Sequence, residues 1–274
     1  MSIINSALRM VFDGILFPAR NWSPLLSLAI LSLVIGIAML VVFKYTSNQS
    51  KLADVKRRIH AGLFEIRLFN DDPIAIFKAQ GEILRHNLSY LRLSLVPMLW
   101  MIVPLLLVIA QLQFHYGYDG LVPGESTIVK VKLAGTAAEG RPDVSLEVPP
   151  GLRVETPGLW VPETNEVAWR ISAQDGGSYD LALRVAGQEY AKSVQVSGAI
   201  VRRSPERVAP VWWKELLFPA EAPLPDGGAV ESIAVAYPER EISVFGFGVH
   251  WMIVFFVLSM AFAFALRNRV GVTI

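Results

Sequence analysis

The chain has no cysteine, only four histidines, and almost no charge inside its three longest apolar runs. Each shortage removes a class of function. Without cysteine there is neither a disulfide nor a thiolate zinc site, so any domain outside a membrane must hold together by burial and hydrogen bonding. The histidines, His60, His86, His115 and His250, are scattered, and no His-Glu-x-x-His, Gly-x-Ser-x-Gly or Gly-rich phosphate loop occurs. Asp54 and Glu65 fall in a water-exposed hairpin, where carboxylates ordinarily solvate a surface. No catalytic constellation, cofactor motif or metal-ligand set is present, and a non-enzymatic role is expected.

Hydrocarbon is what the chain has in excess. Hydrophobic residues make up 53% and charged residues 18%, the balance obtained when very apolar segments are averaged with a segment of ordinary polarity. The runs cover 24–43, 93–114 and 245–266, each close to the ~20 residues a helix needs to cross a ~30 Å hydrocarbon core. The expected fold class is an α-helical membrane protein with three transmembrane helices. Between the first two lies a cytoplasmic two-helix coiled-coil hairpin, 44–92, and between the last two an extracytoplasmic β-sandwich, 115–244.

Charge sets the orientation. The net charge of +1 conceals segregation: residues 44–92 carry Lys44, Lys51, Lys56, Arg57, Arg58, Arg67, Lys78, Arg85 and Arg92 against five carboxylates. Lysine and arginine near span ends mark the cytoplasmic side. Arg267 and Arg269, opening the tail 267–274, agree, whereas 115–244 holds eighteen acidic and twelve basic residues. The expectation is a multi-pass protein of the cell (inner, cytoplasmic) membrane with its N-terminus outside and C-terminus inside. The first span is expected to stay, since no basic n-region leads into it and no small-residue cleavage site follows Phe43.

Residues 1–20 read as an outer interfacial amphipathic helix. Ile3, Ile4, Leu8, Val11, Phe12, Ile15 and Leu16 recur at spacings near three and four, so the segment either lies in the headgroup plane or packs on the outer domain. Pro18 ends it, and Trp22 is expected to anchor the chain at the interface, as are Trp212, Trp213 and Trp251. In the hairpin, Leu52, Val55, Ile59, Leu63 and Ile66 form one seam, Asp72 and Pro73 start the second helix, and Phe77, Gln80, Leu84, Leu88, Leu91 and Leu95 line its face. Lys51, Lys56, Arg57 and Arg58 make a basic patch that fits anionic lipid or ribosomal RNA phosphate; nothing supports base recognition, and DNA is not expected.

Inside the spans the polar exceptions are Ser27, Ser32, Gln111, Gln113, His250 and Ser259, with Pro97 and Pro104 interrupting the second. A serine hydroxyl can bond its own helix backbone, while a glutamine needs a partner or water. Between the second and third spans, alternation at 128–133, 144–148, 167–171, 179–185 and 194–196 with Gly and Pro turns predicts an antiparallel sandwich, immunoglobulin-like but without the disulfide, with Trp169 and Tyr179 in its core.

The interfacial helix, a first span running into Lys44-Tyr45-Thr46-Ser47-Asn48-Gln49-Ser50-Lys51-Leu52, the basic hairpin, the Pro-containing second span and a third span closing on Leu266-Arg267-Asn268-Arg269-Val270-Gly271-Val272 together resemble the YidC/Oxa/EMC insertase superfamily. The likeness is nearest to its minimal three-span, archaeal YidC-like branch, to which the β-domain is foreign. It implies a membrane insertase or chaperone that receives hydrophobic client segments in a groove between the spans, with Ser27, Ser32, Gln111 and Ser259 as groove residues. The partners implied are the bilayer, hydrophobic client membrane proteins and a ribosome. The alternative is an accessory or assembly subunit that grips a larger membrane complex through its outer β-domain.

Overall fold

The computed structural model describes residues 2–69, 71–135 and 143–272. The chain divides into two compact units, one of residues 1–27 and 108–251, the other of 28–107 and 252–274. Among the described residues, three helices are long and apolar enough to cross a membrane.

The helical unit is built by strong start and stop signals. After helix α1 (Ser2–Leu16) and a 3-10 turn at Phe17–Ala19, which belong to the other unit, comes α2 (Pro24–Thr46), where the Ser23 hydroxyl accepts from the Leu26 amide and Pro24 takes the first helical position. Asn48 caps α3 (Gln49–Leu68) by accepting from the Lys51 amide at 3.1 Å. Asp72 caps α4 (Pro73–Tyr116), accepting from the amides of Ile74 and Ala75. The hairpin's second helix and the second apolar run are thus one 44-residue helix that continues through Pro97 and Pro104. At the C-terminal end of the chain, α6 (Trp251–Val270) closes with Gly271 at φ 73° and the Val272 amide donating to the Arg267 carbonyl.

Small residues decide which faces meet. A Cβ placed on Gly36 of α2 would lie 3.2 Å from the Ser259 carbonyl of α6, and one on Gly62 of α3 would lie 2.7 Å from Ile83 of α4. Gly62 and Ala79 are buried at the second crossing, together with Leu52. The hairpin therefore packs through this small-residue stripe. Phe77, Leu84, Leu88 and Leu95, expected with Gln80 and Leu91 on one face of the second helix, are exposed, because close approach at Gly62 turns the bulky stripe of α4 away from α3.

The other unit is a β-sandwich. In one sheet β1 (Ser126–Leu133) sits centrally, pairing antiparallel with β5 (Glu166–Ala173) and β9 (Val230–Val235). The far edge of β5 takes β3 (Leu152–Val154) and β4 (Leu159–Val161), and β8 (Glu206–Val208) closes beside β9. The second sheet orders β2 (Val144–Glu147), β6 (Gly177–Val185) and β7 (Gln188–Val196). Alternate residues of both meet in a core holding Val129, Ile171, Leu181 and Val194, continuing into Val131, Trp169, Leu183 and Ile233. Tyr179 only borders this core and donates its hydroxyl to the Asp175 carbonyl.

The third apolar helix begins later than its apolar run. Phe245 and Gly246, at φ 51° and 87°, turn a hairpin between β10 (Glu241–Val244) and β11 (Phe247–His250), so α6 starts at Trp251. Helix α5 (Trp212–Leu217) lies between β8 and β9, and the Asn5 side chain of α1 donates to its Glu215 carbonyl. Phe12 and Leu16 of α1 are buried in this unit, while Met10, Val11 and Ile15 are exposed.

Replacing Gly36 by leucine is expected to wedge α2 from α6 and cost roughly 1–3 kcal/mol. Unfolding of the detergent-solubilised variant followed by tryptophan fluorescence measures it; an unchanged midpoint would show that the crossing tolerates bulk.

Candidate functional site

Facing elements of the helical unit leave a groove of about 580 Å³. Ile35, Met39, Leu40 and Phe43 of α2 form one wall, Leu91, Met98, Met101 and Leu105 of α4 a second, and Phe255, Phe256 and Met260 of α6 a third. Four of the chain's seven methionines line it. Only the hydroxyls of Tyr90, Ser94 and Ser259 interrupt the hydrocarbon. Unbranched thioether side chains rearrange at low cost, so such a surface fits apolar segments of differing shape rather than one rigid ligand.

The spacing that builds the α4 wall is helical: Tyr90, Ser94, Met98, Met101 and Leu105 recur every three or four residues. The residues expected in the groove are mostly elsewhere. Ser259 lines it, its Oγ buried and without a hydrogen-bond partner. Ser32 is fully buried, also without a partner, and is not among the lining residues. Ser27 and Gln111 belong to the β-rich unit, where Ser27 donates to the Pro24 carbonyl and accepts from the Tyr116 hydroxyl at 3.0 Å. Gln111 Oε1 accepts from Arg202 Nη1 at 2.9 Å.

Of the basic residues, Lys51, Arg57 and Arg58 are exposed on α3, Arg57 pairing with Asp54, and Lys56 is half-buried. Trp22, Trp212 and Trp213 are exposed. Trp251, expected as an interfacial anchor, is fully buried, and its indole donates to Gln113 Oε1 at 3.0 Å. Among the described residues no three histidines or carboxylates gather as metal ligands.

The β-rich unit carries a second set of polar contacts, which the scattered positions of their residues had hidden. Arg202 reaches Asp13, Gln111 and the Arg9 carbonyl, and His115 Nε2 lies 3.0 Å from Asp13 Oδ1. Burial raises the Asp13 carboxyl, but hydrogen bonds from His115 and Arg202 outweigh it and hold the group below the ordinary carboxylate range. Arg203 is fully buried and donates to four carbonyls, those of Ser197, Ala199, Val201 and Tyr118. Burial, then the nearby Arg240, brings its guanidinium down to about 10, still charged at neutral pH. Gly120 is required beside it, because a Cβ there would stand 2.9 Å from the guanidinium and 2.1 Å from the Ser197 carbonyl.

Lys192 is fully buried in β7 and gives its three ammonium protons to Glu221 at 2.8 Å and to the carbonyls of Ser193 and Ser204. Burial raises the Glu221 carboxyl, yet the Lys192 charge and the Ser193 amide bring it below its ordinary value. Its stabilisation is therefore full above about pH 4.3, the unfolded value, and is lost as pH falls through the lowered folded value. Glu221→Gln is expected to cost about 2 kcal/mol at neutral pH, by leaving a buried ammonium half-compensated, and to flatten the acid limb of the unfolding profile. Denaturant titrations at several pH values test both; an unaltered acid limb would exclude the pair as its source.

No protein-family model matches the chain, and neither a curated protein nor a solved structure matches it.

Proposed function

We propose that the chain crosses the membrane three times and serves as an insertase or chaperone for apolar client segments, as its resemblance to YidC/Oxa/EMC proteins implies. In this reading α2, α4 and α6 are the spans, the basic α3–α4 hairpin lies in the cytosol, and the β-domain, immunoglobulin-like in its two sheets, stands on the other side. The single observation that carries it is the methionine-walled groove. A client helix leaving water needs an apolar surface that holds it without trapping it, and no covalent step is involved. Adaptable thioethers and few fixed hydrogen bonds suit transient occupancy.

The lining also refines the expected client. With three hydroxyls and no charge along the groove, the chemistry suits a hydrophobic helix, not a polar tail seeking a hydrated recess. Apolar side chains at Leu26, Ile30, Val34, Ile37 and Val41 of α2, exposed along one face, support lipid contact there.

A second reading, that of an accessory subunit, is favoured by one feature: Trp212, Trp213 and Leu217 stand exposed together on α5. Aromatic clusters of this kind anchor protein partners.

Photo-crosslinkers at Met101 and Ser259 in growing cells are expected to capture heterogeneous, short-lived nascent membrane proteins, and one at Trp212 far fewer. A fixed stoichiometric partner captured at Trp212, with nothing at the groove, would replace the first reading by the second. Because the chain lacks cysteine, Arg57→Cys and Glu163→Cys report topology directly: an impermeant maleimide is expected to label only Glu163→Cys from outside, and labelling of both would refute the arrangement.

A further inference from the structure

The outward stripe of α4 is more regular than a leftover face. Ile74, Leu88 and Leu95, with Gly81 between them, fall seven apart, as do Phe77, Leu84, Leu91 and Met98 three residues later. This is an a/d heptad running for four repeats. Ile74, Phe77, Leu84, Leu88 and Leu91 are between 62% and 81% exposed, although α3 already packs the opposite side of α4 through Gly62 and Ala79. A coiled-coil seam without its second strand leaves several large side chains in water.

Lipid does not cover this stripe along its length. If the apolar span begins at Leu93, the twenty residues before it rise about 30 Å along the helix axis, carrying Ile74 and Phe77 well beyond any headgroup layer. Gly81 supplies an independent observation. It sits inside a helix, where glycine costs about 1 kcal/mol against alanine, and nothing within the chain lies within 4 Å of where its Cβ would stand. The space beside it is open, so a second helix can approach the backbone closely at that a position.

We propose that the seam is filled by the same stripe of a second copy, forming a parallel two-stranded coiled coil. The inference rests on the reading above for two things: the hairpin lies outside the bilayer, and both copies lie in one membrane with one orientation, which makes the pairing parallel. In that register position g faces position e of the next repeat on the other strand. The e positions are Lys78, Arg85 and Arg92, and the g positions Gln80, Asn87 and Ser94. Gln80 of one copy meets Arg85 of the other, and Asn87 meets Arg92, so each guanidinium finds an amide oxygen and no like charges are opposed. An antiparallel pair would set the basic e positions against one another. The seam runs into the groove wall, since Leu91 and Met98 belong to both.

Single cysteines in the full-length chain test this in native membranes. Leu84→Cys and Leu88→Cys are expected to give a disulfide-linked species of doubled mass on mild oxidation, in roughly tenfold greater yield than Glu82→Cys, which lies off the seam. Leu84→Glu is expected to abolish most of the crosslink reported by Leu88→Cys. Should one variant express poorly, Leu91→Cys gives the same readout. A yield at Leu84 and Leu88 no greater than at Glu82 overturns the pairing, as does a crosslinked species containing a different protein or, with a photo-reactive group at Leu84, a lipid adduct. Client capture at Met101 with an unpaired seam would sink this inference alone, whereas failed topology labelling would remove the reading beneath both.

Discussion

A helix satisfies most of its own backbone hydrogen bonds, and α4 runs as one helix over 44 residues although Pro97 and Pro104 each remove an amide donor. Residues 73–107 contribute the hairpin's second helix and a groove wall to the helical unit, and residues 108–116, which carry Gln111 and His115, belong to the β-rich one. The start of α4 is fixed by Asp72 and Pro73, which set the rotational phase of everything after them. Because a helix turns by a fixed angle per residue, the faces that meet α3, line the groove and look outward are not independent choices. Once Ala79 meets Gly62, the outward position of Leu84 and Leu88 follows.

Small residues and large ones divide the work in the helical unit. Gly36 and Gly62 let backbones approach, and the approach excludes neighbouring bulky side chains from the interface. This explains why hydrophobic periodicity located the elements well and their packed faces poorly. The three apolar helices, the Asp72-Pro73 start and the alternating strands β1, β5 and β6 were all legible, since each depends on local pattern. The hairpin's contact face was not, because Gly62 and Ala79 carry little hydrophobic signal. Phe245 to His250 reads as part of an apolar run, yet two glycines and a left-handed Phe245 make it a β-hairpin. Polar residues do not mark a groove whose character is thioether and hydrocarbon, and Arg202 reaches Gln111 across 91 positions of sequence that no local pattern spans.

In the β-rich unit, ion pairs whose cations are largely buried take the part that disulfides play in many small domains. Lys192 with Glu221, Arg202 with Asp13, and Arg240 with Asp119 each join segments far apart in the chain. Such pairs bring little net stability against an apolar replacement, but removing one member is costly, which makes them strong determinants of a single arrangement. They are also indifferent to reducing conditions.

Arg203 binds its surroundings only through backbone carbonyls, four of them, contributed by the stretch Ser197 to Val201 and by Tyr118. What the guanidinium recognises is therefore the path of the chain and not the identity of the side chains along it. The loop after β7 is free to change its surface chemistry, exchanging one outward residue for another, while its trajectory is held. Exchanging an outward side chain there leaves these four bonds in place, whereas replacing Arg203 removes all of them.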